Sequence, residues 1–399
     1  MASRVLLHVG TPKTATTFFQ DVLFRHRDLL ATHGIGYPGE HFDSQFRAAL
    51  DLLRREWGGL ENEVVGEWDA LAAEVRATPG TVILSNEILA GATAEQAARA
   101  LASFGEAEVH LVLTVRDLFR QIPAEWQETV KHFGTESYAD FIAAITAREG
   151  RSAELFWGVQ DLPAILARWG AGDGVLPADR VHLVTVPPRG TDRSVVWQRL
   201  SEVFGLTDLP IEVTAERSNE SLGANATTFV RGLNEVVPEF LSKDEYRWLV
   251  MEVLAHRTLG PRRSKRRITV PPAACDWVEQ VASQWVEEIA ARGYRVTGDL
   301  DELRGERPTE FTDPDQPDPE RIASIGTDAT VALLAEAGRL MREREALVSD
   351  VDALRTEVEE LRQIAGLRNA ARSRLESSGA GKRALETYRR LRGSSSRRA

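Results

Sequence analysis

Cysteine is almost absent from this chain of 399 residues, which contains Cys275 and no other. A single cysteine cannot form a disulfide within the chain or build a cysteine-rich zinc site. Long apolar runs are also missing. No stretch reaches the roughly 20 consecutive apolar residues of a membrane-spanning helix, and the apolar start is too short for the core of a secretory signal peptide. These absences lead us to expect a cytoplasmic protein.

Positive charge is outweighed by negative charge in most of the chain, and a net excess of positive charge is found at its end. The formal net charge is −11, yet residues 367–399 carry ten Lys or Arg against two Glu, which makes this basic tail +8 and leaves −19 for the remainder. An acidic body argues against the extended basic surface that a nucleic-acid backbone requires, so we expect no nucleic-acid partner. The basic tail either favours solubility alone or contacts anionic lipid head groups or an acidic partner.

Apolar periodicity predicts strands that alternate with helices. Continuous apolar runs typical of buried strands occupy residues 4–9, 81–85, 109–115 and 180–186. Helical spacing of apolar residues is found at residues 16–33, 63–76, 117–132, 195–204, 225–237, 243–254 and 275–291. This alternation is typical of an α/β fold in which helices cover both faces of a parallel sheet. We therefore expect residues 1–298 to form a three-layer α/β sandwich.

The composition changes after Gly298 to Asp, Glu and Pro. Prolines interrupt regular structure, so residues 299–325 are predicted to be a linker. Beyond it, leucine recurs every seven residues, and valine lies three residues ahead of the last two leucines, as in the a and d positions of a coiled coil. These residues are Leu333, Leu340, Leu347, Leu354, Leu361, Val351 and Val358. A coiled coil over residues 326–366 predicts a homodimer, and a helix folded back onto the main domain is the alternative.

The most informative stretch joins the first predicted strand to the first predicted helix. It reads His8-Val9-Gly10-Thr11-Pro12-Lys13-Thr14-Ala15-Thr16-Thr17. Backbone N–H groups at a helix start lack partners within the helix, and with the helix dipole they form a site for a tetrahedral anion. Lys13 adds a positive point charge. The Walker A pattern G-x-x-x-x-G-K-[ST] is absent, because the lysine comes three residues after Gly10.

This loop resembles the 5'-phosphosulfate-binding loop of the sulfotransferase superfamily, whose usual form is close to G-x-P-K-[ST]-G-T-T. Gly10, Pro12, Lys13, Thr14, Thr16 and Thr17 match that form, and Ala15 replaces the family's glycine. The replacement should be tolerated if the φ angle of Ala15 is ordinary and strained if it is positive. The resemblance implies a P-loop-like fold, binding of 3'-phosphoadenosine 5'-phosphosulfate by every residue from Gly10 to Thr17 (Thr11 and Ala15 included), catalysis by Lys13 at the leaving oxygen, and no metal.

A second family signature is an arginine at the end of a later strand, followed eight residues on by a serine. Arg116 follows the strand predicted at residues 109–115, and the resemblance implies that it binds the 3'-phosphate of the donor. The serine position is occupied by Ala124. Gln127 and Lys131, further along the same predicted helix, are candidate substitutes for the missing hydroxyl.

A basic run, Arg262-Arg263-Ser264-Lys265-Arg266-Arg267, occurs late in the predicted domain. Members of the family close the nucleotide site with a glycine- and base-rich loop at a comparable place. The resemblance therefore assigns Arg262, Arg263 and Lys265 to nucleotide binding. A solvated loop is the alternative.

Removal of the acceptor's hydroxyl proton calls for a general base, which is histidine or glutamate in different branches of the superfamily. Glu87 is our first candidate, because it follows the predicted strand at residues 81–85 and so emerges at the carboxyl edge of the sheet, where parallel sheets bind ligands. His41, in Glu40-His41-Phe42, is the alternative.

These patterns together predict a sulfotransferase that transfers a sulfuryl group to a hydroxyl of a carbohydrate, glycolipid or small-molecule acceptor. One alternative is a non-catalytic nucleotide-binding protein organised by its coiled coil. The other is a P-loop kinase with the fold of P-loop nucleoside triphosphate hydrolases, and the missing G-K-[ST] lysine disfavours it.

Overall fold

The computed structural model describes residues 2–57, 59–172, 175–213, 221–262, 266–384 and 386–387. Residue contacts divide the chain into two units, Met1–Thr330 and Val331–Ala399. No helix in the described ranges is both long enough and apolar enough to cross a membrane.

The first unit is built on a six-stranded sheet in which every pair of neighbouring strands is parallel. The strands are β1 Ala2–His8, β2 Ile35–Gly36, β3 Gly80–Ser85, β4 Glu108–Val115, β5 Val181–Thr185 and β6 Arg295–Thr297, in the spatial order β2-β3-β1-β4-β5-β6. The prediction of an α/β fold with a parallel sheet is confirmed. The two edge strands were not expected, because each has three residues or fewer and lacks an apolar run.

Helices connect the strands and extend past the sheet. The α-helices are α1 Thr16–Arg25, α2 Arg27–Thr32, α3 Ser44–Leu53, α4 Glu67–Ala77, α5 Ala94–Ser103, α6 Leu118–Lys131, α7 Tyr138–Ala147, α8 Gly150–Gln160, α9 Leu162–Arg168, α10 Arg193–Phe204, α11 Ala224–Asn234, α12 Lys243–Tyr246, α13 Pro272–Ala291 and α14 Pro319–Ser377. A π-helix spans Arg247–Leu259, and 3₁₀ turns span Leu60–Asn62, Glu87–Gly91, Ala178–Arg180, Val237–Glu239 and Leu300–Leu303. The helix expected over residues 16–33 is interrupted at His26, where φ is −104° and ψ is 14°.

Two apolar clusters cover the two faces of the sheet, because successive side chains of a strand point to opposite faces. Leu7 and Leu111 belong to one cluster, together with Trp126 of α6. Leu6 of β1 belongs to the other, together with Phe19 of α1. Each fully buried Leu or Phe side chain contributes about 1.5–3 kcal/mol. Helices therefore lie on both faces, as in a three-layer sandwich.

The segment expected to be a linker, residues 299–325, differs from that prediction because it packs on the first unit. Asp315 Oδ1 accepts a hydrogen bond from Tyr138 N at 3.1 Å, Asp315 Oδ2 accepts one from Ala139 N at 2.9 Å, and Arg231 Nη1 lies 2.9 Å from Asp315 Oδ1. Leu303 is buried. Prolines exclude long regular elements but leave side chains able to dock, and here an aspartate satisfies free N–H groups at the start of α7.

The long helix α14 begins at Pro319, inside the segment expected to be a linker, and continues past the expected coiled coil into the first part of the basic tail. The residues beyond Thr387 lie outside the described part of the chain.

Candidate functional site

The carboxyl ends of β1 and β4 form the centre of the candidate site. The chain that leaves β1 runs toward the β2 edge of the sheet. The chain that leaves β4, the neighbour of β1, runs toward the β6 edge, so the direction of the connections reverses between β1 and β4. Parallel sheets bind ligands at such a reversal. The loop after β1 carries Lys13, and Arg116 directly follows β4, which pairs with β1. Two cations predicted separately thus belong to adjacent strand ends.

The loop between β1 and α1 is fixed by contacts with β4 and α6. Thr11 N donates to Thr114 O at 3.0 Å, and Gln121 Nε2 donates to Pro12 O at 2.8 Å. At Gly10, φ is 38°, and an added Cβ would lie 2.8 Å from Thr114 Oγ1. This position needs glycine because of both its backbone angle and the close approach of the threonine.

Ala15, which replaces the family's glycine, has a φ of 68° and is the N-cap residue of α1. A residue with a Cβ in the left-handed region costs about 1–2 kcal/mol relative to glycine. The replacement is therefore strained. Lys13 also has a positive φ, of 64°, so this loop contains two left-handed residues other than glycine.

A buried polar network below the loop was missed by sequence reasoning. His8 Nδ1 lies 2.8 Å from Ser85 Oγ, and His8 Nε2 lies 3.0 Å from Thr114 Oγ1. Thr114 Oγ1 is in turn 2.7 Å from Thr14 Oγ1. Burial lowers the pKa of His8 to about 3, so the ring is neutral near pH 7 and links three strands and the loop by hydrogen bonds. A histidine that directly follows the apolar residues 5–7 of β1 was the available signal.

Lys13 reaches across the loop to the carboxylate of Glu128 on α6. Its Nζ lies 2.6 Å from Glu128 Oε2, which also lies 3.2 Å from Lys131 Nζ, while Glu128 Oε1 lies 3.4 Å from His132 Nε2. Burial alone would raise the pKa of Glu128, but the hydrogen bond with His132 and the charges of both lysines hold it well below its ordinary value. One ionised carboxylate therefore joins three basic side chains next to the loop.

A second carboxylate, Glu125, lies one turn earlier on α6. Burial raises its pKa, while the nearby charge of Lys13 acts in the opposite direction. Glu125 Oε1 accepts a hydrogen bond from Gln160 Nε2 at 3.1 Å, and Gln160 Oε1 accepts one from Gln121 Nε2 at 2.9 Å. Because Gln121 also bonds the loop, Glu125 is connected to the loop through two amides.

Arg116 has few partners for a largely buried cation. Its Nη2 donates to Arg120 O at 3.1 Å, and its Nε is buried without a hydrogen-bond partner in the described ranges. Burial lowers the pKa of Arg116 to about 9, and the charge of Arg120 acts in the same direction. Arg120 itself is engaged, through an ion pair with Asp117 and hydrogen bonds to the carbonyls of Val186 and Pro187. A buried guanidinium with an unused N–H is a candidate anion-binding group.

Arg189, in the loop after β5, adds positive charge near Arg116. Burial lowers its pKa, and the charges of Arg267 and Arg120 act in the same direction. Sequence reasoning did not select Arg189, since a lone arginine in a loop carries no motif.

The two candidate substitutes for the missing serine make contacts within the protein. Gln127 Nε2 donates to Thr227 Oγ1 at 3.1 Å, and Gln127 Oε1 accepts from Ser221 Oγ at 2.9 Å. Lys131 contributes to the Glu128 cluster. Ala124 brings no hydroxyl to this helix.

Glu87 lies at the carboxyl edge of the sheet, in the 3₁₀ turn that follows β3. Its Oε2 accepts a hydrogen bond from Gln20 Nε2 at 3.0 Å, and Gln20 belongs to α1, the helix that the loop opens. Burial raises the pKa of Tyr37, and the charge of Glu87 acts in the same direction. His41 is exposed, and its backbone N–H donates to Ser44 Oγ at 2.9 Å.

Arg262 is directed toward the start of α14. It forms an ion pair with Asp328 and donates from Nη2 to Ser324 Oγ at 3.2 Å. A cavity of about 350 Å³ lies beside it, lined also by Arg266 and by the first turn of α11. Arg263 and Lys265 lie outside the described residues.

Comparisons with family models, with curated proteins and with solved structures found no match to this chain. The functional interpretation therefore depends on the motifs and on the geometry at the carboxyl edge of the sheet.

Proposed function

We propose that this chain is a sulfotransferase that transfers a sulfuryl group from 3'-phosphoadenosine 5'-phosphosulfate to a hydroxyl of a carbohydrate, glycolipid or small-molecule acceptor. The observation that carries the proposal is the position of Lys13 and Arg116 after two adjacent parallel strands. A donor with anionic groups at both its 5' and 3' positions needs two separate cationic sites. The strand, loop and helix order at β1 also supports a P-loop-like assignment of the fold.

In this proposal the loop and α1 hold the 5' end of the donor through backbone N–H groups and threonine hydroxyls. Lys13 stabilises negative charge on the bridging oxygen as the S–O bond breaks. Arg116 binds the 3'-phosphate through its guanidinium group, and Arg189 adds positive charge nearby. Glu87 accepts the proton of the acceptor hydroxyl as that oxygen attacks sulfur. Arg262, Arg263 and Lys265 stay predictions for nucleotide binding, and Arg262 would first have to leave Asp328.

The decisive experiment is transfer of labelled sulfuryl from the donor, with and without a magnesium chelator, to a metabolite pool in which one species gains the mass of one sulfuryl group. Lys13→Ala should lose about 2–4 kcal/mol of transition-state stabilisation, a fall in rate of about 30- to 1,000-fold. The exposed Lys243→Ala is the matched control. Wild-type rates in Lys13→Ala would refute the proposed mechanism.

The contact between Lys13 and Glu128 favours one second candidate, a non-catalytic nucleotide-binding protein. A lysine held by a carboxylate could fill a structural role. In that case adenosine 3',5'-bisphosphate should bind to the full chain while no acceptor is ever sulfated.

We also propose that α14 forms a parallel two-stranded coiled coil with a second copy of the chain. Its leucine seam is largely exposed, with Leu347 at 59%, Leu354 at 60% and Leu361 at 58% of full exposure. Leucine at d and valine at a favour two strands, and Arg344 at an a position weakens the first half.

Light scattering should therefore give twice the chain mass for the full protein at micromolar concentration, and a single mass for a chain truncated after Thr330. A monomeric full-length chain would exclude the coil as a dimer contact.

A further inference from the structure

The carboxylate of Glu128 forms an ion pair with the ammonium group of Lys13, which the proposed reaction needs. Lys13 Nζ and Glu128 Oε2 are 2.6 Å apart, which is a short contact for a charge-assisted hydrogen bond. An ammonium group engaged this closely by one oxyanion has less capacity to bind another. Any phosphosulfate oxygen that approaches Lys13 therefore competes with Glu128.

Glu128 has other basic neighbours that would stay with it if Lys13 turned away. Lys131 Nζ is 3.2 Å from the same oxygen, and its side chain is buried. His132 Nε2 is 3.4 Å from the other oxygen. A partly buried carboxylate left without partners would be destabilising. Here the carboxylate keeps two partners, so the loss of Lys13 is tolerable.

The segment around this cluster has two further unusual features. Phe133, which follows His132, has a φ of 69° and stacks on Tyr246 with ring centroids 3.6 Å apart. The π-helix Arg247–Leu259 carries His256, and burial lowers the pKa of His256 with Lys131 acting in the same direction. Left-handed residues and π-helical turns are frequent at functional sites.

We propose that Glu128 is a positioning residue that holds Lys13 in competition with the donor, while Lys131 and His132 retain Glu128 when Lys13 moves to the donor. This inference rests on the proposed function, because it takes Lys13 as the residue that meets the donor. Its consequence is that Glu128 weakens donor binding and sets the position from which Lys13 approaches the bridging oxygen.

The test uses full-length wild-type protein, Glu128→Gln and Glu125→Gln. Glu125→Gln is the control, because it replaces a carboxyl group one turn away that forms no ion pair with Lys13. The first readout is the rate at which acetic anhydride labels Lys13, measured by peptide mass spectrometry against the exposed Lys243 in the same sample. The second readout is the Kd of adenosine 3',5'-bisphosphate.

We expect Glu128→Gln to label at Lys13 roughly three- to tenfold faster than wild type and to bind the nucleotide tighter by a similar factor, as expected for loss of one partly exposed ion pair. Glu125→Gln should change the logarithm of the labelling rate, and that of the Kd, by less than half as much as Glu128→Gln does. Unchanged labelling in Glu128→Gln, equal effects in both variants, or equal nucleotide affinity in wild type and Glu128→Gln would each overturn the inference alone. Absence of nucleotide binding to all three proteins would instead overturn the proposed function and this inference with it.

Discussion

The two ends of the parallel sheet differ in how their polar side chains are paired. At the amino ends of β4 and β5, the polar groups satisfy one another. His110 Nε2 lies 2.8 Å from Glu108 Oε1, His110 Nδ1 lies 2.9 Å from His182 Nε2, and Arg180 Nη2 pairs with Glu108 Oε2 at 3.2 Å. This cluster leaves little hydrogen-bonding capacity for a ligand.

At the carboxyl ends of the strands, several buried polar atoms have no partner in the described part of the chain. They are Thr16 Oγ1, Arg116 Nε and Gln121 Oε1. Buried polar groups are normally hydrogen-bonded, and an exception calls for an explanation. The paired groups at the amino end stabilise the fold, whereas the atoms without partners at the carboxyl end are consistent with the binding role that we propose for that edge.

The largest expected effect is on activity at the carboxyl end. Glu87→Gln should lower turnover by about 10²- to 10⁴-fold, the usual contribution of a general base, with donor affinity and the free energy of unfolding nearly unchanged. His41→Ala should change turnover only slightly, because the side chain of His41 is exposed and the hydrogen bond of this residue comes from its backbone N–H. Steady-state rates and donor Kd values would check the pair, and the reverse ranking would move the base to residues 37–42.

A smaller effect is expected on the free energy of unfolding at acid pH, to which each end of the sheet contributes one histidine. His8 and His182 have folded pKa values of about 3 and about 4, lowered chiefly by burial, against about 6.5 in an unfolded chain. Each thus contributes stability that is complete above about pH 6.5 and is lost as the pH falls toward the folded pKa. The slope approaches about 1.4 kcal/mol per pH unit for the fully buried His8, and solvent screening reduces the share of His182.

Urea unfolding between pH 7 and pH 4 would measure this dependence. His182→Gln should flatten it while leaving turnover near pH 7 unchanged, because His182 belongs to the amino end. The same pH dependence in wild type and variant, or a large loss of turnover, would contradict the separation of the two ends.

The smallest effect is expected at Ala15, where the carboxyl end is strained. Ala15→Gly should raise the free energy of unfolding by roughly 0.5–1 kcal/mol, because relief of the left-handed strain exceeds the added chain entropy of glycine. The control is Ala70→Gly, an exposed position inside α4, which should lower the same quantity by about 1 kcal/mol. Denaturant titration decides the sign, and destabilisation by Ala15→Gly would show that the loop is not strained there.

Sequence alone could predict the four longer strands and most helices, because buried apolar runs and helical spacing are local signals. It could not predict β2 and β6, which depend on pairing with longer neighbours, or the docking of Asp315 on α7. Within the site, Lys13 and Arg116 stood out through their positions after predicted strands. Glu128 did not, because an acid in a helix shows no sign of a distant lysine partner.

The contact between Asp315 and α7 means that amide exchange at the start of α7 reports whether the C-terminal part of the first unit is in place. The amide hydrogens of Tyr138 and Ala139 bond to a carboxylate that lies 177 and 176 residues further along the chain. Their exchange with deuterated solvent therefore depends on whether that later segment is in place. During synthesis these two amides would stay exchangeable until Asp315 has emerged from the ribosome, so the N-terminus of α7 acquires its full protection only when the first unit is nearly complete.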